Sequence, residues 1–561
     1  MIIKRNPANL NQEFHIVIIG GGITGLAIAR EAAERGLKTA IIEKNDFGCA
    51  TSAATSKLIH GGLRYLENLE LGLVRESLRE RKIMGNAAPH LIKPLPIILP
   101  AYDYSKPGRF IMRIGLWLYD ILSFERNFFT PRDKYMPASR WLGRKKILEL
   151  IPCLKDEGLK GGFLYYDHQS LHPERLSLAF LKTAVSFGAV AFNHMSVDSF
   201  ATSDDDDGKK RITAVNATDS QTKKKYIIKG KIFVNCTGPW LDYTLEKVMD
   251  EPAAKLQRSQ GIHVLSQNIC GKVAILHRNK EGRHFFILPW MGLSLTGPTD
   301  TPFMDHPDTL FPRYKDSFDL VNTVNQSIKD PITPSKIKSI IIGLRPLVSS
   351  GSSTYKASRK SEIYDHEIDG FPGLLSVAGG KLTTSRYLGE QTIKKILKKR
   401  EMRGVSITKR DSSKTPLYGS ICFGDSASEY ESRALADYAI PELSPDTHSH
   451  LIRLYGTEHR EILHLIKTKP ELASRIEEKS IFPDILAQIH YAVNNESART
   501  LEDVLNRRLA IGTAGYPGDR AVKTTAGVMA KLLKWNPYET RREMAAYRDC
   551  YPFLENIKKK K

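Results

Sequence analysis

The chain has 561 residues, which is too long for one compact core, so we expect two or more folded units. With 41% hydrophobic and 26% charged residues, its composition is that of a globular protein and excludes an intrinsically disordered one. The formal net charge of +21 favours an anionic partner. Charge alone leaves that partner open as nucleic acid, an acidic membrane surface or a phosphorylated small molecule.

Cysteine usage and apolar runs indicate the cellular setting. Six cysteines stand without a CxxC pair, which predicts neither a metal site nor a disulfide framework and fits a reducing cytoplasm. The N-terminal segment MIIKRNPANLNQEF has no apolar stretch with a cleavage site, so we expect no export. No window reaches the ~18 apolar residues of a membrane-spanning helix. We therefore predict a cytoplasmic protein whose membrane contact is peripheral.

The N-terminal segment has the pattern of a β-α-β unit. Apolar runs at residues 14–19 and 39–43 predict parallel strands, and the spacing of residues 23–35 predicts a helix between them. Short apolar runs at residues 231–236 and 374–378 predict further buried strands. These strands could join one α/β sheet although they are far apart in sequence.

The middle and end of the chain predict two further parts. Residues 272–276 and 285–288 predict strands of a second, antiparallel sheet that could roof a substrate cavity. The acidic residues 204–207 predict a surface turn. Beyond residue 400 the sequence becomes polar and rich in Gly and Pro, and helical spacing follows, so we divide the chain into residues 1–405 and 406–561.

A helix-capping pattern lies inside the C-terminal part. Residues 489–508 have helical spacing, and Thr500 and Asp503 are placed to cap a second helix there.

A glycine pattern follows the first predicted strand. Gly20, Gly22 and Gly25 form GxGxxG at the opening of the predicted helix. The first glycine allows a tight turn, the second lets a pyrophosphate approach the backbone, and the third lets helix and strand pack closely. Glu43 ends the second strand, where a carboxylate can accept hydrogen bonds from ribose hydroxyls. The sequence therefore predicts a dinucleotide site, which this pattern alone leaves open as one for NAD or FAD.

The segment CATSAATSKLIHGGLRYL at residues 49–66 distinguishes these cofactors. Small hydroxyl residues and paired glycines would let the backbone approach a planar ring, and His60 and Arg64 supply polar groups beside it. Here the chain resembles the FAD-dependent glycerol-3-phosphate dehydrogenases of the D-amino-acid-oxidase-like superfamily. The agreement extends over nearly the whole chain through RESLRERKIMGNAAP (75–89), residues 110–119, NCTGPW (235–240), PW (289–290), GLRPL (343–347), GGKLTT (379–384) and SARTLEDVLNR (497–507).

The resemblance implies a fold and a set of binding residues. The fold would be α/β, with a Rossmann-like FAD-binding domain interleaved with an antiparallel-sheet substrate domain in residues 1–405, and a C-terminal helical domain. The implied FAD-binding residues are Gly20, Gly22, Ile23, Thr24, Gly25, Glu43, Lys44, Thr51, Ser52, Ser56, Lys57, Leu58, His60, Gly61, Gly62, Thr237, Gly238, Gly380, Lys381, Leu382, Thr383 and Thr384. The implied substrate-binding residues are Arg64, Tyr65, His263, Arg345 and Lys381.

The implied reaction moves hydride from C2 of sn-glycerol 3-phosphate to FAD and gives dihydroxyacetone phosphate. Three cations, Arg64, Arg345 and Lys381, suit a phosphate dianion. His60 and His263 are alternative bases for the C2 hydroxyl proton, because a neutral imidazole can accept it near pH 7. Lys381 or Arg345 could instead lower the pKa of that hydroxyl, so both are catalytic candidates.

The electron acceptor and other activities stay open. We prefer membrane quinone over oxygen, because residues 288–343 lack the insertion usual in oxidases of this resemblance. An amine or amino-acid oxidase of the same superfamily is a second alternative, although it would need a carboxylate clamp. An RNA-binding flavoprotein is a remote one, since no RNA motif is present and we expect no nucleic-acid partner. A homodimer stays open.

Two departures from the family pattern bear on substrate choice. Gly297-Pro298-Thr299-Asp300 stands where the family usually reads GTTD. Residues 165–176 carry His172-Pro173-Glu174 where a shorter, Asp-containing stretch is usual.

One segment is a candidate for membrane contact. Residues 109–122 (RFIMRIGLWLYDIL) combine apolar and aromatic residues with cations, which suits a helix lying in the headgroup zone. An ordinary amphipathic helix packed on the core explains the pattern equally well. The basic C-terminus, with lysines at 558–561, is an alternative attachment. We expect the protein on the cytoplasmic face of the inner membrane.

Overall fold

The computed structural model describes residues 2–204, 207–250, 256–348, 361–421 and 426–551, with only the backbone at residue 314. The centre of the predicted acidic turn, residues 205–206, lies outside the described residues. The same holds for the terminal lysines at 558–561.

Strands and helices alternate through the first four hundred residues. The strands are β1 (Phe14–Ile19), β2 (Thr39–Ile42), β3 (Leu58–Ile59), β4 (Ile92–Tyr102), β5 (Arg140–Gly143), β6 (Leu159–Ser170), β7 (Val190–Phe192), β8 (Met195–Asp204), β9 (Lys210–Asp219), β10 (Lys225–Asn235), β11 (Leu256–Gln267), β12 (Ala274–Arg278), β13 (His284–Trp290), β14 (Leu293–Gly297), β15 (Thr301–Phe303), β16 (Ile337–Val348), β17 (Glu362–Asp365) and β18 (Leu374–Ala378). The helices are α1 (Ile23–Glu34), α2 (Leu71–Ala87), α3 (Arg109–Leu122), α4 (Arg144–Leu150), α5 (Pro173–Ser186), α6 (Leu241–Leu245), α7 (Tyr314–Asn325), α8 (Ser385–Ile396), α9 (Ala427–Asp437), α10 (Pro445–Tyr455), α11 (His459–Thr468), α12 (Leu486–Asn495), α13 (Asp519–Leu533) and α14 (Pro537–Asp549).

The first sheet gathers strands from distant parts of the chain. Its order is β17-β18-β10-β1-β2-β7, and the central strands from β18 to β7 run parallel. Helices α1, α5 and α8 cover one face with an apolar core, and the β8–β9 hairpin and α6 cover the other. Burial on both faces explains why these strands read as continuous apolar runs. The α/β prediction is confirmed.

The second sheet is mainly antiparallel. Its order is β15-β11-β14-β13-β12-β4-β6-β3, with β16 beside β11 and β5 beside β6. The strands predicted at residues 272–276 and 285–288 are β12 and β13, which pair with each other. The second sheet was therefore predicted correctly. Helices α4 and α7 pack on one face, and α2 and α3 pack on the other.

Several elements differ by one or two residues from their predicted bounds, and two differ more. The strand predicted at residues 231–236 begins earlier, at Lys225, because its polar first half pairs with β9 at the edge, where apolar runs are not required. The helical stretch 489–508 is two elements, α12 and a π-helical turn at Asp503–Arg508. The second begins where Thr500 and Asp503 exchange hydrogen bonds between side chain and backbone, as predicted.

From residue 426 to residue 551, the named elements of the described structure are helical and enclose two apolar clusters. The C-terminal helical domain is thus present. Its boundary at residue 405 stays a prediction.

Buried ion pairs join the C-terminal helices to the first sheet. The carboxylate of Asp46, four residues beyond β2, accepts from Arg507 Nε at 2.6 Å and from both terminal nitrogens of Arg508. Arg175 on α5 donates to the two oxygens of Glu496 at 2.7 Å each. These side chains are at most 6% exposed. Because each charge is buried, separating the two parts would leave it without its partner.

Asp46→Asn tests this junction. The variant keeps the shape but removes the charge that faces two buried guanidinium groups, so we expect the free energy of unfolding to fall by about 3–5 kcal/mol. Denaturant unfolding measures it. The control is Glu149→Gln, whose pair with Lys146 is about half exposed and should contribute little. Equal stability of the two variants would contradict the structural role of Asp46.

Candidate active site

A cavity of about 1050 Å³ lies between the two sheets. Its wall includes the carboxyl ends of β1 and β2 on one side and residues of β6, β13 and β16 on the other. The volume is at the upper end of the ~300–1,000 Å³ range usual for small-molecule sites. Ligands of open α/β sheets bind beyond the carboxyl ends of the strands, which is where this cavity opens.

The turn from β1 to α1 forms one end of the cavity. Gly20 has φ of +107°, and a Cβ there would lie 2.5 Å from the carbonyl oxygen of Cys236. A Cβ on Gly25 would lie 2.0 Å from the carbonyl oxygen of Gly20. Helix and strand therefore approach more closely than any side chain permits, as the glycine spacing predicts.

Polar groups ring this turn. The carboxylate of Glu43 accepts hydrogen bonds from the backbone N–H of Gly21 at 2.6 Å and of Asn45 at 2.8 Å. Burial raises the pKa of Glu43, while these two N–H groups oppose the shift. The N–H of Ile23, at the start of α1, donates to Ser52 Oγ at 2.9 Å. A helix N-terminus with a hydroxyl beside it is suited to phosphate oxygens.

Two cations lie in the wall of the other end. Arg345 on β16 donates to the carbonyl oxygen of Thr299 at 2.9 Å and to Ser259 Oγ at 3.2 Å. Lys381, which follows β18, donates to Ser77 Oγ at 2.5 Å, and its Nζ lies 4.6 Å from the ring centre of Tyr65. Both side chains therefore have fixed directions before a ligand binds, which lowers the entropic cost of binding.

His263, on β11, lies in the cavity wall beside Arg345. Burial lowers the pKa of His263 to about 3, and the positive charges of Arg345 and Lys57 add to the effect. Its Nε2 lies 2.8 Å from Ser56 Oγ, whereas its Nδ1 is buried and has no hydrogen-bond partner among the described residues.

His60 is the second histidine of the wall. Burial lowers the pKa of His60 to about 4; Asp167 opposes this shift, and Lys381, Arg64 and Arg81 add to it. Both imidazoles are therefore neutral at pH 7. Each is in the protonation state that can accept a proton.

Comparison with known proteins identifies the family. A model described as FAD dependent oxidoreductase matches residues 15–390, and one described as the C-terminal domain of alpha-glycerophosphate oxidase matches residues 411–540. A glycerol-3-phosphate dehydrogenase of Synechocystis sp. is 34% identical, over 98% of this chain and 98% of that protein. An aerobic glycerol-3-phosphate dehydrogenase of Staphylococcus aureus is 30% identical, over 90% of this chain and 88% of that protein. The chain belongs to the FAD-dependent glycerol-3-phosphate dehydrogenase family.

A solved structure agrees with this assignment. The crystal structure of the glycerol-3-phosphate dehydrogenase from Bacillus halodurans complexed with FAD superposes with a TM-score of 0.77 at 26% identity. It covers 97% of this chain and 95% of that one. The expected fold and the expected cofactor, FAD, are thereby confirmed.

The residues of this family member fit FAD. The glycine turn leaves room for a pyrophosphate, since a Cβ on Gly22 would meet nothing closer than Ser52 Oγ at 3.3 Å. Glu43 is the carboxylate suited to ribose hydroxyls. The hydrophobic and polar walls beyond Ser56 leave space for a planar ring next to His60.

The cavity gathers most of the residues that the sequence nominates. Those in its wall are Gly20, Gly22, Ile23, Thr24, Glu43, Lys44, Thr51, Ser52, Ser56, Leu58, His60, Gly62, Arg64, Tyr65, Thr237, Gly238, His263, Arg345, Gly380, Lys381, Leu382 and Thr383. Gly25, Gly61 and Thr384 lie behind the wall. Their part in FAD binding stays a prediction; Gly25 packs against the backbone of Gly20, and Gly61 packs against the side chains of Leu78 and Tyr119.

Lys57, nominated among the residues around FAD, has its side chain outside the cavity wall, and its part in FAD binding stays a prediction. That side chain is 1% exposed. Its ammonium group donates to Glu174 Oε1 and to the carbonyl oxygen of Ala53, each at 2.8 Å. A buried ammonium needs a carboxylate, and Glu174 draws the side chain away from the cavity.

The two departures from the family pattern lie in different parts of the structure, one outside the cavity wall and one within it. His172 is fully buried outside the cavity wall, where it caps α5 and lies 3.1 Å from the carbonyl oxygen of Leu509. Its role is to join the two domains, and it makes no contribution to the wall. Pro298 does line the cavity, so it stays a candidate for an effect on substrate choice.

Sequence reasoning missed several residues of the wall. Asp167 lies there within β6, and His284 lies there at the start of β13. At the end of the cavity that contains Lys44, the carboxylate of Asp308 accepts hydrogen bonds from Lys44 Nζ and from Trp240 Nε1, each at 2.8 Å. An acidic residue inside an apolar aromatic strand, as in FLYYDHQS, was the signal available for Asp167, because a buried carboxylate needs partners.

Gly25→Ala tests the close approach of helix and strand. The added methyl group would meet the carbonyl of Gly20, and overpacking of this kind costs about 1–3 kcal/mol, so we expect FAD affinity to fall by about tenfold or more. Fluorescence titration of the apoprotein with FAD measures it. Gly527→Ala is the control, because nothing lies within 4 Å of a Cβ at that helical position. FAD binding equal to that of the control would contradict this account of the turn.

Proposed function

We propose that the protein oxidises sn-glycerol 3-phosphate to dihydroxyacetone phosphate and that membrane quinone is the electron acceptor. The observation that carries this proposal is that Arg64, Arg345 and Lys381 share one cavity wall with the dinucleotide turn and two neutral histidines. The names of the relatives supply the substrate that this wall suits. FAD, when bound, supplies the acceptor for the two electrons of the C2–H bond.

The cations bind the phosphate group in this proposal. A guanidinium donates paired hydrogen bonds to phosphate oxygens, and an ammonium adds a compact charge. Arg345 and Lys381 are held by hydrogen bonds to neighbouring residues, so they can orient the substrate without first being ordered themselves. An amino acid carries a single carboxylate, for which this many cations would be excessive.

We assign the proton-accepting role to His60. In His263, Nδ1 is buried and Nε2 is engaged with Ser56, which leaves it suited to holding Ser56 in place. His60 lies in the wall between Lys381 and Arg64 and is neutral at pH 7. As the C2–H bond gives up its electron pair, His60 takes the proton of the C2 hydroxyl, and the alcohol becomes a ketone.

Arg345→Ala tests the substrate assignment. We expect kcat/KM for glycerol 3-phosphate to fall by about 10- to 100-fold, because a charged hydrogen-bonding partner of the phosphate is lost. FAD content should stay unchanged, since Arg345 donates hydrogen bonds to Ser259 and Thr299 on the substrate-sheet side of the cavity. The control is Arg541→Ala, at an exposed position of α14.

The measurement is anaerobic mixing of the purified protein with glycerol 3-phosphate while the flavin absorbance is recorded. Bleaching by this substrate supports the proposal, and bleaching by glycine or sarcosine alone would contradict it. Reoxidation by a quinone analogue, compared with reoxidation by air, then separates a dehydrogenase from an oxidase. Unchanged kcat/KM in Arg345→Ala would remove that residue from the phosphate site.

We further propose that the protein docks on the cytoplasmic face of an anionic membrane through α3. This helix has the predicted bounds, and its outer face exposes Phe110 by 76% and Trp117 by 63%, next to Arg113. Phe129, in the loop that follows, is fully exposed. A contiguous apolar face flanked by cations suits the headgroup region of a bilayer. Among the helices of the described ranges, none combines the length and hydropathy needed to span one.

A double variant, Phe110→Asp with Trp117→Asp, tests this docking. Each large apolar side chain contributes about 1.5–3 kcal/mol when buried, so we expect binding to phosphatidylglycerol vesicles to weaken at least about tenfold. Vesicle co-sedimentation measures it. The control is Ile227→Asp with Ile481→Asp, two equally exposed apolar residues of other elements. Loss of binding only when residues 552–561 are removed would move the attachment to the basic C-terminus.

A further inference from the structure

A buried polar cluster lies at the Gly61-Gly62 turn, and one of its members, Asp167, reaches the cavity wall. Arg81 from α2, Tyr119 from α3 and Asp167 from β6 meet there, and each side chain is at most 3% exposed. Arg81 Nη1 donates to Asp167 Oδ1 at 2.6 Å. Tyr119 Oη donates to the same carboxylate at 2.8 and 2.9 Å. Both oxygens of Asp167 therefore have partners inside the protein.

The cluster bonds to the backbone of the turn. The N–H of Gly61 donates to Tyr119 Oη at 3.0 Å and to Asp167 Oδ1 at 3.2 Å. A Cβ on Gly61 would lie 2.5 Å from Tyr119 Oη, and Gly62 has φ of +77°. The turn thus sits directly against the cluster, in a conformation that favours glycine. His60 precedes this turn in the cavity wall, and Arg64 follows it.

A role in stability alone is a weak explanation for such a cluster. The cost of removing a carboxylate and a guanidinium from water is comparable to the attraction between them, so an apolar substitute would stabilise the fold about as well. A fixed charge pair does hold its hydrogen-bonding partners in one geometry. Here that partner is a backbone amide between two residues of the cavity wall.

We propose that Arg81, Tyr119 and Asp167 are positioning residues that set the places of His60 and Arg64 through the Gly61 amide. This inference rests on the proposed function where it concerns the substrate. Loss of one hydrogen bond of the cluster would make the turn more mobile. Arg64 would then lose the orientation in which it binds phosphate, while the fold stays intact.

Tyr119→Phe is the variant that tests the cluster. It removes the hydroxyl that bridges Gly61 and Asp167 and leaves the ring and the Arg81–Asp167 pair in place. The control is Tyr102→Phe, which also removes one buried hydroxyl, bonded to the carbonyl oxygen of Lys155 at 2.9 Å outside the cavity wall. Hydrogen–deuterium exchange of the FAD-bound full chain is followed in peptides covering residues 58–66, together with KM, kcat and melting temperature.

We expect exchange in residues 58–66 to become faster and KM for glycerol 3-phosphate to rise, each about five- to tenfold. This is the size of effect expected when one hydrogen bond to a charged group is lost. The kcat should fall as well, because His60 belongs to the same turn, and the melting temperature should match that of the control. Exchange and KM equal to those of the control would overturn the proposal. So would a loss of FAD and melting temperature with KM unchanged in the remaining holoenzyme.

Asp167→Asn is a second variant with the same exchange readout. It keeps the shape of the acceptor but removes its charge, so exchange in residues 58–66 should again be faster than in the control. If the unaltered protein does not oxidise glycerol 3-phosphate, the proposed function fails, and the exchange rates of the two variants still decide the positioning role.

Discussion

The pairing of Asp46 with Arg507 and Arg508 is the constraint on which the arrangement of the two domains depends. Asp46 stands three residues after Glu43, in the loop that leaves the first sheet and returns as the cavity wall. The arginines come from the π-helical turn of the C-terminal domain. Separating this buried carboxylate from either guanidinium group would leave a buried charge without compensation, which is strongly destabilising. The C-terminal helices therefore hold the loop that follows Glu43, although they contribute little to the cavity wall itself.

The same cations that suit a phosphate also set the protonation of the site. His60 lies near Lys381 and Arg64, and His263 lies near Arg345. Burial lowers both histidine pKa values, and these positive charges lower them further. A cavity built to attract a dianion thus keeps its imidazoles neutral, which is the state a proton acceptor requires. In the proposed function, phosphate binding and proton acceptance both depend on these cations, although burial is the larger cause of the low histidine pKa values.

Local patterns predicted much of the fold and part of the site. The spacing of apolar residues predicted β1, β18 and α3 with their observed bounds, because the apolar pattern of each of these elements lies within its own segment. The early start of β10 was not predicted, because the first half of this strand pairs at the edge of the sheet and has no apolar run in its sequence. The glycine turn was predicted with its physical roles. The buried pair of Lys57 with Glu174 was not predicted, because the two residues are 117 positions apart in sequence.

The sequence by itself determined the dinucleotide turn and the two kinds of sheet, because glycine spacing and hydrophobic periodicity are local. It indicated the family through a resemblance carried by several motifs along the chain. Only the tertiary structure decided which charged residues face the cavity and which pair inside the protein. Arg345 and Lys381 reach the cavity wall, whereas Lys57, Arg507 and Arg508 end on buried carboxylates. The physical reason is that a buried charged side chain must lie beside a partner of opposite charge. Such partners come together only when distant strands and helices pack.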